Sequence, residues 1–215
     1  MEIAIFQFAL FGINTYLIWD PETKEAAVVD PGMSSRQEEQ AISNFIAEKG
    51  LSLRQVINTH LHIDHIAGIP FFQQKYDAKV LAHQGDEFLA TGSMLKAQNS
   101  GFGLNLPLEN IEISEYLKGG DIVRVGNEEL KVIEVPGHSR GSIALYDPKG
   151  KWVITGDALF NGSIGRTDLP GGDYKELISS IESELLSLPD ETVVYPGHGP
   201  ATTVGNEKHS NPFLT

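Results

Sequence analysis

The chain has 215 residues, of which 40% are apolar and 21% are charged, as in ordinary globular domains. Acidic residues outnumber basic residues by 29 to 16, and the formal charge of −13 argues against non-specific binding to nucleic acid or anionic membranes, which needs a basic surface. Cysteine is absent, which excludes disulfides, thiolate metal ligands and a cysteine nucleophile. We expect a single domain over residues 1–215, with neither nucleic acid nor a membrane as a partner; the oligomeric state is not readable from the sequence.

Strand and helix signals alternate in the first half of the chain. The first nineteen residues are apolar, but polar residues interrupt them and no small-residue cleavage site follows, so two strands explain them better than a signal peptide. A cytoplasmic location is therefore expected. Apolar positions at 41–46, with Ser34 or Ser35 as the cap and Gly50 at the end, predict a helix. The predicted strands are Ile3–Ile5, Ile13–Leu17, Ala26–Val29, 53–58 and 79–82, with a second helix near 65–75.

The second half is richer in strands. Residues 91–110 contain glycines and Pro107 without a clear period, which predicts an irregular loop. The apolar face of 174–188, followed by Pro189, predicts a helix. The predicted strands are Ile122–Val125, Leu130–Val135, Ile143–Tyr146, Trp152–Thr155 and 192–195. Two halves of strands and helices predict an α/β fold with two sheets packed together and helices outside, a four-layer arrangement.

The run Thr59-His60-Leu61-His62-Ile63-Asp64-His65 places three histidines and an aspartate within six residues, directly after a predicted strand. In an extended chain, side chains two residues apart point to the same side, so His60 and His62 can face one point. Neutral imidazole and carboxylate are ligands that suit Zn, Fe, Ni or Mn. The run therefore predicts a transition-metal site.

Three further candidate ligands follow predicted strands in the same way. His138, Asp157 and His198 each stand shortly after an apolar run, with a glycine immediately before them. Glycine permits unusual dihedrals where the backbone passes close to a site. Functional residues commonly lie on loops at strand ends. Five of the seven histidines are thus candidate ligands, and His83 and His209 are interpreted as ordinary core or surface residues.

Together, the His-x-His-x-Asp-His run, Pro136-Gly137-His138, Gly156-Asp157 and Gly197-His198-Gly199-Pro200 resemble the metallo-β-lactamase superfamily. Within it the chain is most similar to a short form of the glyoxalase II (hydroxyacylglutathione hydrolase) group. The resemblance implies an αββα sandwich of two mixed sheets with a dinuclear metal site at one edge. The chain departs from the pattern of full-length glyoxalase II enzymes at one point. Only 17 residues follow His198, where those enzymes have a C-terminal helical glutathione-binding domain.

By this resemblance His60, His62 and His138 bind one metal ion, and Asp64, His65 and His198 bind the other. Asp157 bridges the two ions together with a water or hydroxide. Two divalent metal ions are therefore expected as cofactors, with Zn favoured over Fe or Mn. A metal-bound water has its pKa lowered toward about 7, which supplies a nucleophile near neutral pH, and Asp64 can also orient it.

The function implied by the resemblance is hydrolysis of a small-molecule acyl-thioester, with S-lactoylglutathione or a similar S-acylglutathione as the substrate. A second hypothesis is a mononuclear non-haem iron persulfide dioxygenase of the same superfamily, because His60, His138 and Asp157 alone form a two-histidine, one-carboxylate set. A third is a non-catalytic metal-binding protein. Arg166 is a candidate for binding a substrate carboxylate, or it anchors its loop by pairing with Asp168.

Overall fold

The computed structural model describes residues 1–214, and twelve of the strands there form two six-stranded sheets. The first sheet holds the first six strands in sequence order. They are β1 (Glu2–Gln7), β2 (Asn14–Trp19), β3 (Glu25–Val29), β4 (Ser52–Ile57), β5 (Lys79–His83) and β6 (Glu115–Leu117). The pairs β1–β2 and β2–β3 are antiparallel, whereas β3 to β6 run parallel, so the sheet is mixed.

The second sheet is built by the second half of the chain. Its strands and the small hairpin inserted among them are β7 (Ile122–Val125), β8 (Glu128–Glu134), β9 (Ile143–Asp147), β10 (Trp152–Gly156), the hairpin strands β11 (Leu159–Phe160) and β12 (Ser163–Ile164), β13 (Val193–Pro196) and β14 (Thr202–Thr203). The order across the sheet is β14-β13-β10-β9-β8-β7. Only β10 and β13 pair in parallel, so this sheet is also mixed.

The helices lie between these strands in the sequence, apart from the last helix, which follows β14. They are α1 (Arg36–Glu48), α2 (Ile63–Ile66), α3 (Ile69–Tyr76), a 3₁₀ helix (Gln84–Ala90), α4 (Gly92–Gly101), α5 (Tyr174–Ser180), a π-helical turn (Ile181–Leu185) and α6 (Val204–Ser210). Helix α1 begins as predicted at a serine cap: the Ser35 hydroxyl accepts from the backbone N–H of Glu38, and the Glu38 carboxylate accepts in return from the backbone N–H of Ser35.

Three apolar clusters establish the layers. Between the sheets, Ile18 and Val29 pack with residues such as Leu145 of the second sheet. Outside the first sheet, Ile42 of α1 packs in a cluster with the opposite faces of the same strands, and outside the second sheet Leu177 of α5 does the same. The predicted four-layer αββα sandwich is confirmed.

Strand β2 shows why this fold buries whole strands. Tyr16 and Ile18 belong to the cluster between the sheets, whereas Leu17 and Trp19 belong to the cluster under the helices. Side chains alternate across a strand, so a strand covered on both faces is apolar throughout rather than at every second position. This accounts for the apolar residues 16–19, which end the segment that could be mistaken for a signal peptide.

The prediction of an irregular loop over 91–110 is wrong for Gly92–Gly101, which forms α4. The helix buries Leu95 and the polar Gln98, which accepts from the Ile63 N–H and donates to the Leu89 carbonyl. The buried face of the helix thus includes a hydrogen-bonded polar residue, and a search for apolar residues at helical spacing does not detect such a face. Residues 104–110 contain no helix or strand, as expected.

Other elements differ from prediction in their boundaries or were missed. The helix predicted near 65–75 is two helices, α2 and α3, which are separated where the Gly68 N–H donates to the Pro31 carbonyl at 2.7 Å. The helix predicted for 174–188 is α5 followed by the π-helical turn. The elements not predicted are β6, β11, β12, β14, α6 and the 3₁₀ helix. Among residues 1–214, no helix is long and apolar enough to cross a membrane.

Candidate metal centre

Four strands deliver the predicted ligands to one edge of the sandwich. The histidine-rich run follows β4, His138 follows β8, Asp157 follows β10 and His198 follows β13. Hydrogen bonds join the sheets at this edge. The Asn14 side-chain amide, at the start of β2, donates to the Pro196 carbonyl at 3.0 Å and to the Gly199 carbonyl at 2.8 Å. All seven predicted ligands lie together here.

The first group of ligand atoms comes from three buried histidines. His138 Nε2 lies 3.2 Å from His60 Nε2 and 2.9 Å from His62 Nδ1. Three nitrogens bound tetrahedrally at about 2.0–2.1 Å from one zinc ion would lie roughly 3.3 Å apart. The group therefore has the dimensions of one metal-binding position.

The second group lies beside the first and contains Asp64, His65 and His198. Asp64 Oδ2 lies 3.2 Å from His198 Nε2 and 3.8 Å from His65 Nε2. These atoms could hold a second metal ion. Unlike the first group it is partly open, because the Asp64 side chain is 13% exposed and that of His198 is 23% exposed.

Asp157 lies between the two groups and contacts both. Its Oδ2 is 3.7 Å from His138 Nε2 of the first group and 3.6 Å from His198 Nε2 of the second. Its Oδ1 is 3.3 Å from His65 Nε2. A carboxylate in this position can be shared by both groups.

Two ligand histidines have their tautomers fixed by main-chain carbonyls. His138 Nδ1 lies 2.7 Å from the carbonyl oxygen of Arg166, and His198 Nδ1 lies 3.1 Å from that of Phe11. A carbonyl only accepts, so each Nδ1 carries the proton and donates. In each neutral ring, Nε2 is therefore unprotonated, and its lone pair faces the candidate metal centre.

Asp30 fixes two more ligand histidines. It is fully buried, and its Oδ2 accepts from His65 Nδ1 at 3.0 Å and from the Thr59 hydroxyl at 2.6 Å. Because the Thr59 hydroxyl proton is used in this way, its oxygen accepts from His60 Nδ1 at 3.1 Å. In the neutral rings, the Nε2 atoms of His60 and His65 thus also carry lone pairs that face the centre.

When the rings are neutral, these tautomers bring hydrogen-bond acceptors face to face, and a bound cation would separate them. The Nε2 lone pairs of His60 and His138 oppose each other, and His65 Nε2 opposes a carboxylate oxygen of Asp157. His65 Nε2 and Asp157 Oδ1 are buried without a hydrogen-bond partner. Buried polar atoms without partners are costly, and here they are the atoms that a metal ion would coordinate. The residues present fit a histidine- and aspartate-ligated metal site.

The electrostatics of the two groups differ. Burial, followed by the neighbouring histidines, lowers the pKa of His60 well below its usual value, and burial lowers that of His62 to about 3, so both rings are neutral at pH 7. Burial also opposes protonation of His65, but the carboxylates of Asp157, Asp64 and Asp30 outweigh it and raise its pKa, so a metal ion that binds His65 Nε2 would displace a proton from it. The second group therefore sits in a negative field that attracts cations.

The fold and this ligand geometry agree with comparisons to known proteins. The family model described as the metallo-beta-lactamase superfamily matches residues 9–198. The chain belongs to the metallo-β-lactamase superfamily.

Individual members of the superfamily cover the whole chain. A Haemophilus influenzae protein named hydroxyacylglutathione hydrolase GloC is 37% identical over 100% of this chain and 98% of its own. The crystal structure of TTHA1623 in a di-iron-bound form is 36% identical, with a TM-score of 0.85, and that of the BLEG-1 B3 metallo-beta-lactamase is 31% identical, with a TM-score of 0.90. Both structural matches cover 100% of both chains.

Two positioning aspartates of this superfamily member were not predicted from its sequence. Asp30 follows the apolar end of β3, as the ligands follow their strands, so the strand-end rule could have found it. Asp86 lies in the 3₁₀ helix, is fully buried, and accepts from the Ser139 hydroxyl at 2.6 Å and from the Gly141 N–H at 2.7 Å. It also accepts from the Leu61 N–H, and so ties the histidine-rich loop to the His138 loop. No local pattern marks Asp86.

Arg166 lies at the mouth of the site. Its guanidinium donates twice to the carboxylate of Asp168, at 2.7 and 2.6 Å, and this pairing lowers the Asp168 pKa to about 2. Both side chains are more than half exposed. Arg166 also lines a cavity of about 320 Å³, together with Asp64, Asp157 and His198. The structure thus shows the loop-anchoring pair, with the arginine placed where it borders the ligand groups.

Proposed function

We propose that the protein is a dinuclear metal-dependent hydrolase of acyl-thioesters, with an S-acylglutathione such as S-lactoylglutathione as its substrate. The observation that carries the proposal is the pair of adjacent ligand groups with Asp157 between them. His60, His62 and His138 would hold one ion, and Asp64, His65 and His198 the other, with Asp157 shared. The name of the Haemophilus influenzae relative supports the substrate class.

The bound ions, for which we propose zinc with iron or manganese as alternatives, would supply a water of lowered pKa and polarise the thioester carbonyl. The protein's own residues do the remaining work. Asp30 and the Arg166 and Phe11 carbonyls hold the imidazole protons on the outer nitrogens, which keeps the inner nitrogens free. Asp64 lines the open cavity, where its carboxylate can accept a hydrogen bond from the attacking water and orient it.

Arg166 is the proposed substrate-binding residue. Its exposed guanidinium at the cavity mouth can hold a glutathione carboxylate, either beside Asp168 or in exchange for it. Arg166→Ala should raise the KM for S-lactoylglutathione with little change in kcat. Asp168→Ala is the matched control, since it breaks the same loop-anchoring pair and leaves the guanidinium in place. An equal rise in KM in both variants would assign Arg166 a loop-anchoring role only.

The test of the function pairs metal analysis with a thioesterase assay. Purified, metal-loaded protein should contain about two ions per chain and release thiol from S-lactoylglutathione. His198→Ala should lower both values, whereas His209→Ala, at an exposed histidine of α6, should lower neither. Loaded protein that cleaves none of a panel of acyl-thioesters would contradict the proposal.

The second candidate is a mononuclear iron persulfide dioxygenase using His60, His138 and Asp157. The observation that favours it is that these three side chains do meet, with His138 Nε2 at 3.2 Å from His60 Nε2 and 3.7 Å from Asp157 Oδ2. The second group argues for the hydrolase, because its three ligands have no place in a mononuclear site. One iron per chain, with oxygen uptake on glutathione persulfide, would select the dioxygenase.

A further inference from the structure

A second cavity opens beside the ligand groups and has a different character. It measures about 290 Å³, and its walls are mainly apolar, from residues that include Leu89, Met94, Phe102 and Leu169. Gln98 also lines it, but its oxygen and nitrogen are already bonded to the Ile63 N–H and the Leu89 carbonyl. The cavity therefore offers apolar contact and few free polar partners.

This apolar cavity adjoins the cavity over the ligand groups. His62, Phe102, Arg166 and Leu169 line both. At the junction, the Phe102 ring packs edge-on against the ring of Phe11, with centroids 5.6 Å apart. A molecule whose reacting carbonyl lies at the ligand groups can therefore extend one of its two ends into the apolar cavity.

We propose that this cavity is the acyl subsite and that it selects thioesters with an apolar acyl chain longer than the three carbons of lactate. The proposal rests on the thioesterase function proposed above. Among residues 1–214, Arg166, which lines both cavities, is the one charged residue of the apolar cavity's walls, whereas glutathione carries two carboxylates and an ammonium group that would need several polar partners. The thiol half therefore stays on the open side near Arg166, and the acyl half enters the cavity. A lactoyl group would leave much of the 290 Å³ unfilled.

Binding of straight-chain carboxylates to the metal-loaded protein tests the subsite without any turnover. From acetate to hexanoate, calorimetry should show the dissociation constant falling about fourfold for each added methylene, the factor expected when one CH₂ group is buried. A dissociation constant that does not change with chain length would overturn the proposal.

A pair of variants on α4 locates the effect. Ala97 is exposed and lies on the cavity wall, so Ala97→Phe should fill the cavity and flatten the dependence on chain length. Lys96→Phe adds the same ring at the neighbouring exposed position, which does not line the cavity, and should keep the wild-type dependence. Circular dichroism and Tm establish that both variants are folded. Equal behaviour of the two variants would also overturn the proposal.

Turnover separates this proposal from the proposed function. The wild type should hydrolyse S-hexanoylglutathione with a higher kcat/KM than S-acetylglutathione, and Ala97→Phe should lower that ratio at least tenfold. Chain-length-dependent binding without any hydrolysis would keep the subsite and reject the thioesterase. Hydrolysis whose kcat/KM is highest for the lactoyl or acetyl ester would keep the thioesterase and reject the subsite.

Discussion

Replacing Asp30 by asparagine tests the argument that the protein fixes its ligand histidines through their outer nitrogens. Asparagine has nearly the same shape and tolerates the left-handed backbone of this residue, whose φ is 50°. One amide oxygen can still accept from the Thr59 N–H, as the carboxylate does at 2.8 Å. The amide NH₂ then faces His65 Nδ1 and donates to it. This moves the His65 proton to Nε2, where it blocks coordination.

The size of the effect follows from the bond that is lost. A hydrogen bond to a charged group contributes about 1.5–3 kcal/mol, and 1.4 kcal/mol is a factor of ten in an equilibrium constant. Metal affinity should therefore fall about 10- to 100-fold at the group that contains His65. The fall should be smaller at the group that contains His60, which Asp30 reaches only through Thr59.

Stepwise dissociation constants from competition with a chromophoric chelator measure this difference. Asp20→Asn is the matched control, because Asp20 is also buried and accepts from the Glu22 and Asn127 N–H groups, at a turn away from the ligands. The reasoning is refuted if Asp30→Asn is folded and binds both ions with wild-type affinity. It is also refuted if the Asp20 variant loses as much affinity as the Asp30 variant.

Three further outcomes are expected. Asp157→Ala removes a carboxylate that contacts both ligand groups, so it should lower metal affinity by more than the roughly 10- to 100-fold typical of outer hydrogen-bond partners. The same chelator competition measures the loss, and a smaller loss would contradict the sharing of Asp157 by both groups. Asp86→Ala leaves the Leu61 and Gly141 N–H groups without their acceptor. The free energy of unfolding, measured by urea denaturation, should therefore fall by about 2–4 kcal/mol. Unchanged stability would show that other acceptors replace the Asp86 carboxylate. Backbone hydrogen bonds, led by that from Asn127, lower the Asp20 pKa to about 2, below the unfolded value near 3.8. The ionised carboxylate therefore stabilises the fold above about pH 4, and this stabilisation is lost as the pH falls through 2. The difference in unfolding free energy between wild type and Asp20→Asn should narrow from pH 6 to pH 3, and a constant difference would refute this.

The parts of the fold that were predictable from sequence are those with local causes. The strand Ile122–Val125 was predicted with its observed bounds, since alternating exposure and the following turn at Gly126 both lie within a few residues. Helix α1 was predictable for the same reason, through its serine cap. Helix α4 was not, because the partners of its buried Gln98 lie nine and 35 residues away.

The candidate ligands were predicted from sequence, whereas the aspartates that position them and their loops were not. His60, His62 and Asp64 are conspicuous because ligands for one centre are crowded into one loop. The positioning aspartates have hydrogen-bond partners that the fold brings to them: Asp86 reaches Ser139 across 53 positions, and Asp30 reaches His65 across 35. The strand-end position marks Asp30 as a candidate but does not show which groups it accepts from, and no sequence pattern marks Asp86 at all, so their hydrogen-bond partners appear only once the chain is folded.

The main-chain carbonyls that fix His138 and His198 are harder still to read from sequence, since any residue could supply a carbonyl. Here Arg166 and Phe11 supply them, and the side chains of the same two residues line the cavity over the ligand groups. Each residue thus fixes a candidate ligand histidine through its backbone and lines the cavity with its side chain. Because the carbonyl stays when the side chain is replaced, the cavity wall can change at these positions while the tautomers of the two histidines are kept.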